Sequence, residues 1–139
     1  MSDYDKEVQK IRGYNQPILD DFRKWLEAAN LAVKTIETHV LNMDFFSEYL
    51  AYYPPLSKLD ETQPSDIYDF LADWFPRKVM WASPYNTKSH IASFRKFFKF
   101  LVEKGRFNPE MEKQIKETLK ENKQVFLDAV EFDDDTCWF

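Results

Sequence analysis

Apolar side chains recur at every third or fourth position along almost the whole chain, and the strict alternation of a half-buried strand is hard to find. That spacing restricts the fold to helices packed by their apolar faces, a compact all-α bundle of four to five helices. Only two of the 139 residues are glycine, Gly13 and Gly105. Loops that cradle phosphate need several glycines so that backbone N–H groups can approach it, and neither G-x-G-x-x-G nor G-x-x-x-x-G-K-[ST] can be written here. A nucleophile elbow G-x-S-x-G is missing as well. His39, His90 and Cys137 are the only soft metal ligands, with no paired spacing. The inventory predicts no metal, no cofactor and no catalysis.

With 13 Phe, 7 Tyr and 4 Trp, the chain has enough apolar material for one core without staples, and its single Cys cannot close an internal disulfide. The N-terminus lacks a basic region followed by an apolar one, and the apolar runs are soon broken by charge. The sequence therefore predicts no signal peptide, no membrane span and a cytoplasmic location. We expect a polar arm over 1–14, which could include an extra helical turn, a helical domain over 15–130, and an acidic aromatic tail over 131–139.

The first helix is expected to open near Asn15-Gln16-Pro17, with Asn15 as cap and Pro17 in the first turn. Its apolar face carries Ile18, Phe22, Trp25 and Leu26. A second helix runs from about Thr35 to Tyr53 and stops at Pro54-Pro55. Its two apolar stripes, Ile36/Val40/Met43/Phe46/Leu50 and Leu41/Phe45/Tyr49/Tyr52, leave Glu37, Asp44 and Glu48 as a narrow acidic strip, so the helix is expected to be central. A third helix starts at Pro64-Ser65-Asp66, carries Ile67, Phe70, Leu71 and Trp74, and is stopped by Pro76. A loop over Arg77 to Tyr85 leads through Ser83-Pro84 to a fourth helix that ends at Lys104-Gly105, where glycine suits a left-handed cap. A fifth, from about Glu110 to Val130, follows Asn108-Pro109.

The net charge of −5 hides a polarised molecule. Residues 76–106 hold eight basic and one acidic side chain, a balance of +7, while 31–75 hold two basic and eight acidic. On a wheel of the fourth helix, Lys88, Ser89, Ala92, Ser93, Arg95, Lys96 and Lys99 fall in one arc, and Ile91, Phe94, Phe97, Phe98 and Leu101 lie opposite. Small residues beside cations suit close approach to a phosphate backbone, with affinity from counterion release. Such an arc is equally the solvated face of an amphipathic helix.

The stretch from Thr87 to Gly105, TKSHIASFRKFFKFLVEKG, with Asn108-Pro109 after it, resembles the end of the SAM-like core-binding domain of tyrosine recombinases and phage integrases. Phe22-x-x-Trp25-Leu26, Lys34-Thr35-Ile36 with Phe46-x-x-Tyr49-Leu50, and Pro64-Ser65-Asp66-Ile67-x-x-Phe70-Leu71 resemble that domain's first three helices in order, so the likeness spans roughly 17–109. It implies double-stranded DNA as partner, DNA integration or recombination as context, and the second and fourth helices facing the duplex. By position, Thr87, Lys88, Arg95 and Lys96 would face DNA on the fourth helix, and Lys34 and Thr35 at the start of the second. Lys99 would add a phosphate contact, and Ser89 or Thr87 would reach base edges. Thr38 and Asn42 are neutral polar candidates on the second helix. The chain departs from the family at Ala32, where a serine cap is usual, and no catalytic domain follows, so the chain by itself is expected to cut and join nothing.

Glu131 to Phe139 joins Asp133, Asp134 and Asp135 to Trp138 and Phe139, and resembles the acidic tip of bacterial single-stranded-DNA-binding proteins, with an inserted residue and Trp in place of Pro. The resemblance implies a protein partner whose basic rim would take the carboxylates and whose apolar pocket would take Phe139. Two alternatives stay open: the tail covers the molecule's own basic face, or it only confers solubility. The aromatic ending is expected to close a complete chain rather than to open a linker. His39 and His90 fall toward the apolar sides of their helices and are expected to be packed. Trp74 and Trp81 bracket the loop after the third helix and are expected in core or partner packing, base stacking being the alternative. A protein-interaction adaptor built on the aromatic helices and the tail is the rival functional reading. The sequence specifies no oligomeric state.

Overall fold

The computed structural model describes residues 2–131, and all regular structure among them is helical. Two long helices, α1 (Asp3–Ala28) and α2 (Val33–Tyr52), form an antiparallel hairpin. A single 3₁₀ turn (Leu59–Glu61) precedes α3 (Pro64–Asp69), which runs without a break through a π-helical turn (Phe70–Trp74) into α4 (Phe75–Lys78). Then come α5 (Pro84–Glu103), α6 (Pro109–Glu121) and α7 (Lys123–Ala129). The central position expected for the second helix is found: α2 packs on both α1 and α5.

The first helix begins well before Asn15. Ser2 caps it, its hydroxyl accepting from the Asp5 N–H while the Asp5 carboxylate accepts from the Ser2 N–H. The stretch read as a polar arm is helical because every third or fourth residue has something to cover: Val8 and Ile11 are buried against Ala51, with Leu56 alongside. Asn15 is therefore no cap. It lies fully buried in mid-helix, where Nδ2 donates to Ser47 Oγ at 3.1 Å and Oδ1 accepts from the Leu59 N–H at 3.0 Å. The acidic strip of α2 meets α1 through Arg12–Glu48 and Arg23–Glu37, paired in opposite chain order.

Pro76 does not stop the third helix, which continues to Lys78. Ahead of it the Phe75 N–H bonds back to the Phe70 carbonyl, one residue further than in an α-helix. That widened turn gives the proline ring room where a regular helix would set a carbonyl against it. The expected fifth helix is two, broken at Asn122, whose side chain donates to the Thr118 carbonyl. Gly105 takes the expected left-handed conformation, φ 70°, and the Arg106 N–H bonds back to Leu101. The core is aromatic: Phe22, Phe46, Phe70, Phe75, Phe94, Phe97, Phe98, Phe100 and Phe126 are all but fully buried.

Candidate nucleic-acid interface

The basic helix α5 starts at Ser83, whose hydroxyl accepts from the Asn86 N–H at 3.1 Å, with Pro84 in the first turn. The Asn86 side chain donates to the Trp81 carbonyl, tying the preceding loop to the helix start. Inward it buries Ile91, Phe94, Phe97, Phe98 and Leu101, as its periodicity predicts. Outward, Lys88, Ala92, Arg95 and Lys99 are exposed at spacings of four, three and four, a single stripe along the helix. At 1.5 Å per residue the stripe is about 16 Å long, enough to face several phosphates of one strand. Lys96 lies beside it, half-buried.

None of Lys34, Lys88, Arg95, Lys96 and Lys99 is ion-paired among the described residues. The ion pairs among the described residues use other cations: Glu48 with Arg12, Glu37 with Arg23, Asp73 with Arg77 and Glu112 with Lys116. Glu103, the one acid of the basic segment, accepts from the Trp25 indole N–H at 2.8 Å. The stripe thus carries no counter-charge among the described residues.

Two expected contacts fail on geometry. Thr87 is fully buried, because it falls in line with Ile91, Phe94 and Phe98 on the core face of α5, and its hydroxyl is turned inside. It reaches no duplex. Ser89 and Ser93 do not line an open face either, since they point at α2. Asn42 Nδ2 donates to Ser89 Oγ at 3.0 Å and to Ser93 Oγ at 2.9 Å, and Ser93 Oγ lies 2.7 Å from His39 Nδ1. Ser93 Oγ, which accepts from Asn42, thus also shares a hydrogen bond with the His39 ring and joins three side chains across the two helices. Ser89, half-buried and so engaged, is the outer end of this network. The small residues serve close approach of α2 to α5, which sequence alone could not distinguish from close approach to phosphate. Burial, reinforced by the charge of Lys96, lowers the pKa of His39 and keeps the ring neutral.

The packing of α2 on α5 brings together residues far apart in sequence. Ala32, Lys34, Thr35, Thr38 and His39 share an open depression of about 400 Å³ with Tyr85 from the first turn of α5. Lys34 and Thr35 are exposed there as expected. Ala32 gives α2 no side-chain cap, so the N–H groups of its first turn remain free beside Lys34, a positive helix end open to an anion. Tyr85, 80% exposed, was missed by the reading of residues. Its signal was there: a large aromatic directly after a Ser-Pro helix start has no turn below it to pack on. Trp81, 63% exposed, and Met80, 99% exposed, stand on the same loop.

Asp133, Asp134, Asp135, Trp138 and Phe139 lie outside the described residues. His39 and His90 are packed, as expected. No helix of the described residues is long and apolar enough to cross a membrane, and among those residues no group of three or more His, Cys, Asp or Glu is placed to hold a metal ion. Compared with models of known families, with characterised proteins and with solved structures, the chain matches none.

Proposed function

We propose that the chain is a non-catalytic DNA-binding module that grips duplex DNA through the outer edge of α5 and the start of α2, as the resemblance to integrase core-binding domains implies. One observation carries the reading: the stripe of Lys88, Arg95 and Lys99, flanked by Lys96, has no acidic partner among the described residues. Unpaired cations in a row are the arrangement that gains most from releasing the counterions of a duplex. Lys34 and the open first turn of α2 extend the same affinity to a second strand or groove edge.

The test is fluorescence anisotropy against a mixed-sequence duplex, titrated in salt. Four or five neutralised phosphates give a log–log slope between about −3 and −5. Reversing Arg95 and Lys96 to Glu should abolish most of the affinity, and Thr87→Val should change nothing. Unchanged affinity in the charge-reversed protein would remove this face from consideration.

A protein-interaction adaptor is the second reading, favoured by the exposed Met80, Trp81 and Tyr85. It predicts that Trp81→Ala and deletion of 133–139 abolish capture of a protein partner while leaving DNA affinity intact.

A further inference from the structure

A second cavity, of about 350 Å³, is lined by Tyr4, Glu48, Tyr49, Tyr52, Tyr53 and Trp74, and shares no residue with the basic edge. Five of its six lining side chains are aromatic. Tyr49, in the last turn of α2, and Tyr53, the extended residue that caps its end, stack with ring centres 5.7 Å apart. The Trp74 indole stands against both, 5.3 Å from each and tilted by 56° and 67°, so this wall presents ring faces in more than one direction. Trp74 is set there by the π-helical turn, an element that recurs at functional sites. The rest of the aromatic lining comes from Tyr52 and from Tyr4, whose hydroxyl donates to the Tyr52 carbonyl and so fixes the first turn of α1 over the end of α2.

Carboxylates stand in and near the cavity. Glu48 is part of its lining, and Asp69, Asp66 and Asp73 act on Tyr49, whose phenol is pushed up to about 12 by burial first and by these carboxylates second. Tyr49 therefore stays neutral. A cation over a ring is already present at the rim: the Arg12 guanidinium lies 5.7 Å from the centre of the Tyr52 ring and pairs with Glu48. Ring faces with carboxylates nearby recognise positive charge spread over an apolar surface.

The geometry points to a recognition cage for a quaternary ammonium group, such as choline or a trimethylated lysine side chain carries. An unmethylated ammonium fits less well, because its N–H donors would be desolvated against ring faces while Glu48 is already engaged by Arg12. Methyl groups on nitrogen need no acceptor and pack against ring faces. The cage is independent of DNA binding, so failure of one reading leaves the other standing.

The experiment titrates the whole chain with tetramethylammonium, choline and 3,3-dimethylbutan-1-ol, the neutral carbon analogue of choline, by calorimetry and ¹H–¹⁵N NMR. The expected result is a shift of the Trp74 indole and of the Tyr49 and Tyr53 amides by both cations, with the neutral analogue about tenfold weaker. Tyr53→Leu and Tyr4→Leu, from different parts of the lining and both exposed, should each weaken binding about fivefold, with the helical circular dichroism unchanged. Glu48→Gln should weaken it as well, since Arg12 would then stand uncompensated at the rim. A second titration compares choline with N-acetyl-trimethyllysine amide: tighter choline assigns the cage to a free small cation, tighter trimethyllysine to a modified protein side chain, and either supports it. Equal binding of the neutral analogue, no shift at Trp74, or undiminished affinity in both leucine variants would overturn the proposal.

Discussion

His90 shows how one buried side chain ties stability to pH. It sits among Phe45, Phe70, Phe75 and Phe94, its Nδ1 without a hydrogen-bond partner, and burial lowers its pKa from 6.5 to about 4. The unfolded chain takes up a proton at this residue near pH 6.5, while the folded chain refuses it until about pH 4. Stability is therefore full above pH 6.5 and falls as pH drops through that window, by up to about 3 kcal/mol. The lowered pKa of His39 acts in the same direction, and Asp66, raised by burial, acts against it. Urea denaturation at pH 7, 5.5 and 4.5 should show the loss in the native protein and a much flatter profile in His90→Leu; parallel profiles would refute the assignment. Asn15 makes a second case. Asn15→Ala would strand the Leu59 N–H and the Ser47 hydroxyl in the interior, lowering stability by about 2–3 kcal/mol in the same assay. Neither Asn15 nor Thr87 could be placed from sequence. A polar residue near a proline reads as a cap, and a threonine beside lysines reads as surface, until the partner helix that covers each is known.

At the scale of elements, the helices announced themselves where apolar spacing was long and punctuation clean. The body of α2 and α5, the proline that opens α3 and the glycine after α5 all follow from residues already visible in sequence. Two of the failures share one cause: a tertiary contact outweighed a local stop signal. Pro17 sits inside α1 because helix on both sides of it has buried partners, and Pro76 continues its helix because the π turn makes room. The candidate interface divides the same way. The stripe of Lys88, Arg95 and Lys99 could be read from the period of α5 alone, whereas the meeting of Lys34 with Tyr85 exists only through the crossing of α2 and α5. The start of α1 offers a direct check. Ile11→Ala, buried against the end of α2, should lower stability by about 2–3 kcal/mol. A value near zero in thermal or urea unfolding would mean that residues 3–14 behave as the polar arm after all.

Taken whole, the chain holds +7 in residues 76–106 and −12 in the rest, and this imbalance predicts how any binding of duplex DNA to the α5 edge depends on salt. A domain of this size has a radius of gyration of about 14 Å. At 0.15 M salt the screening length is about 8 Å, so phosphates against α5 feel the edge and little of the acidic body; at 0.01 M it is about 30 Å, and the whole acidic surface repels the duplex. The log–log salt plot should therefore be steep near physiological salt and flatten at the lowest concentrations, where long-range repulsion offsets the gain from local attraction. Glu117 and Glu121 on α6 are exposed and make no ion pair among the described residues, so they can be neutralised without loosening the fold. On this account Glu117→Gln with Glu121→Gln tightens duplex binding about two- to threefold at 0.01 M salt and leaves it unchanged at 0.15 M. An equal gain at both salt concentrations would place the duplex against α6 itself, and would move the interface away from α5.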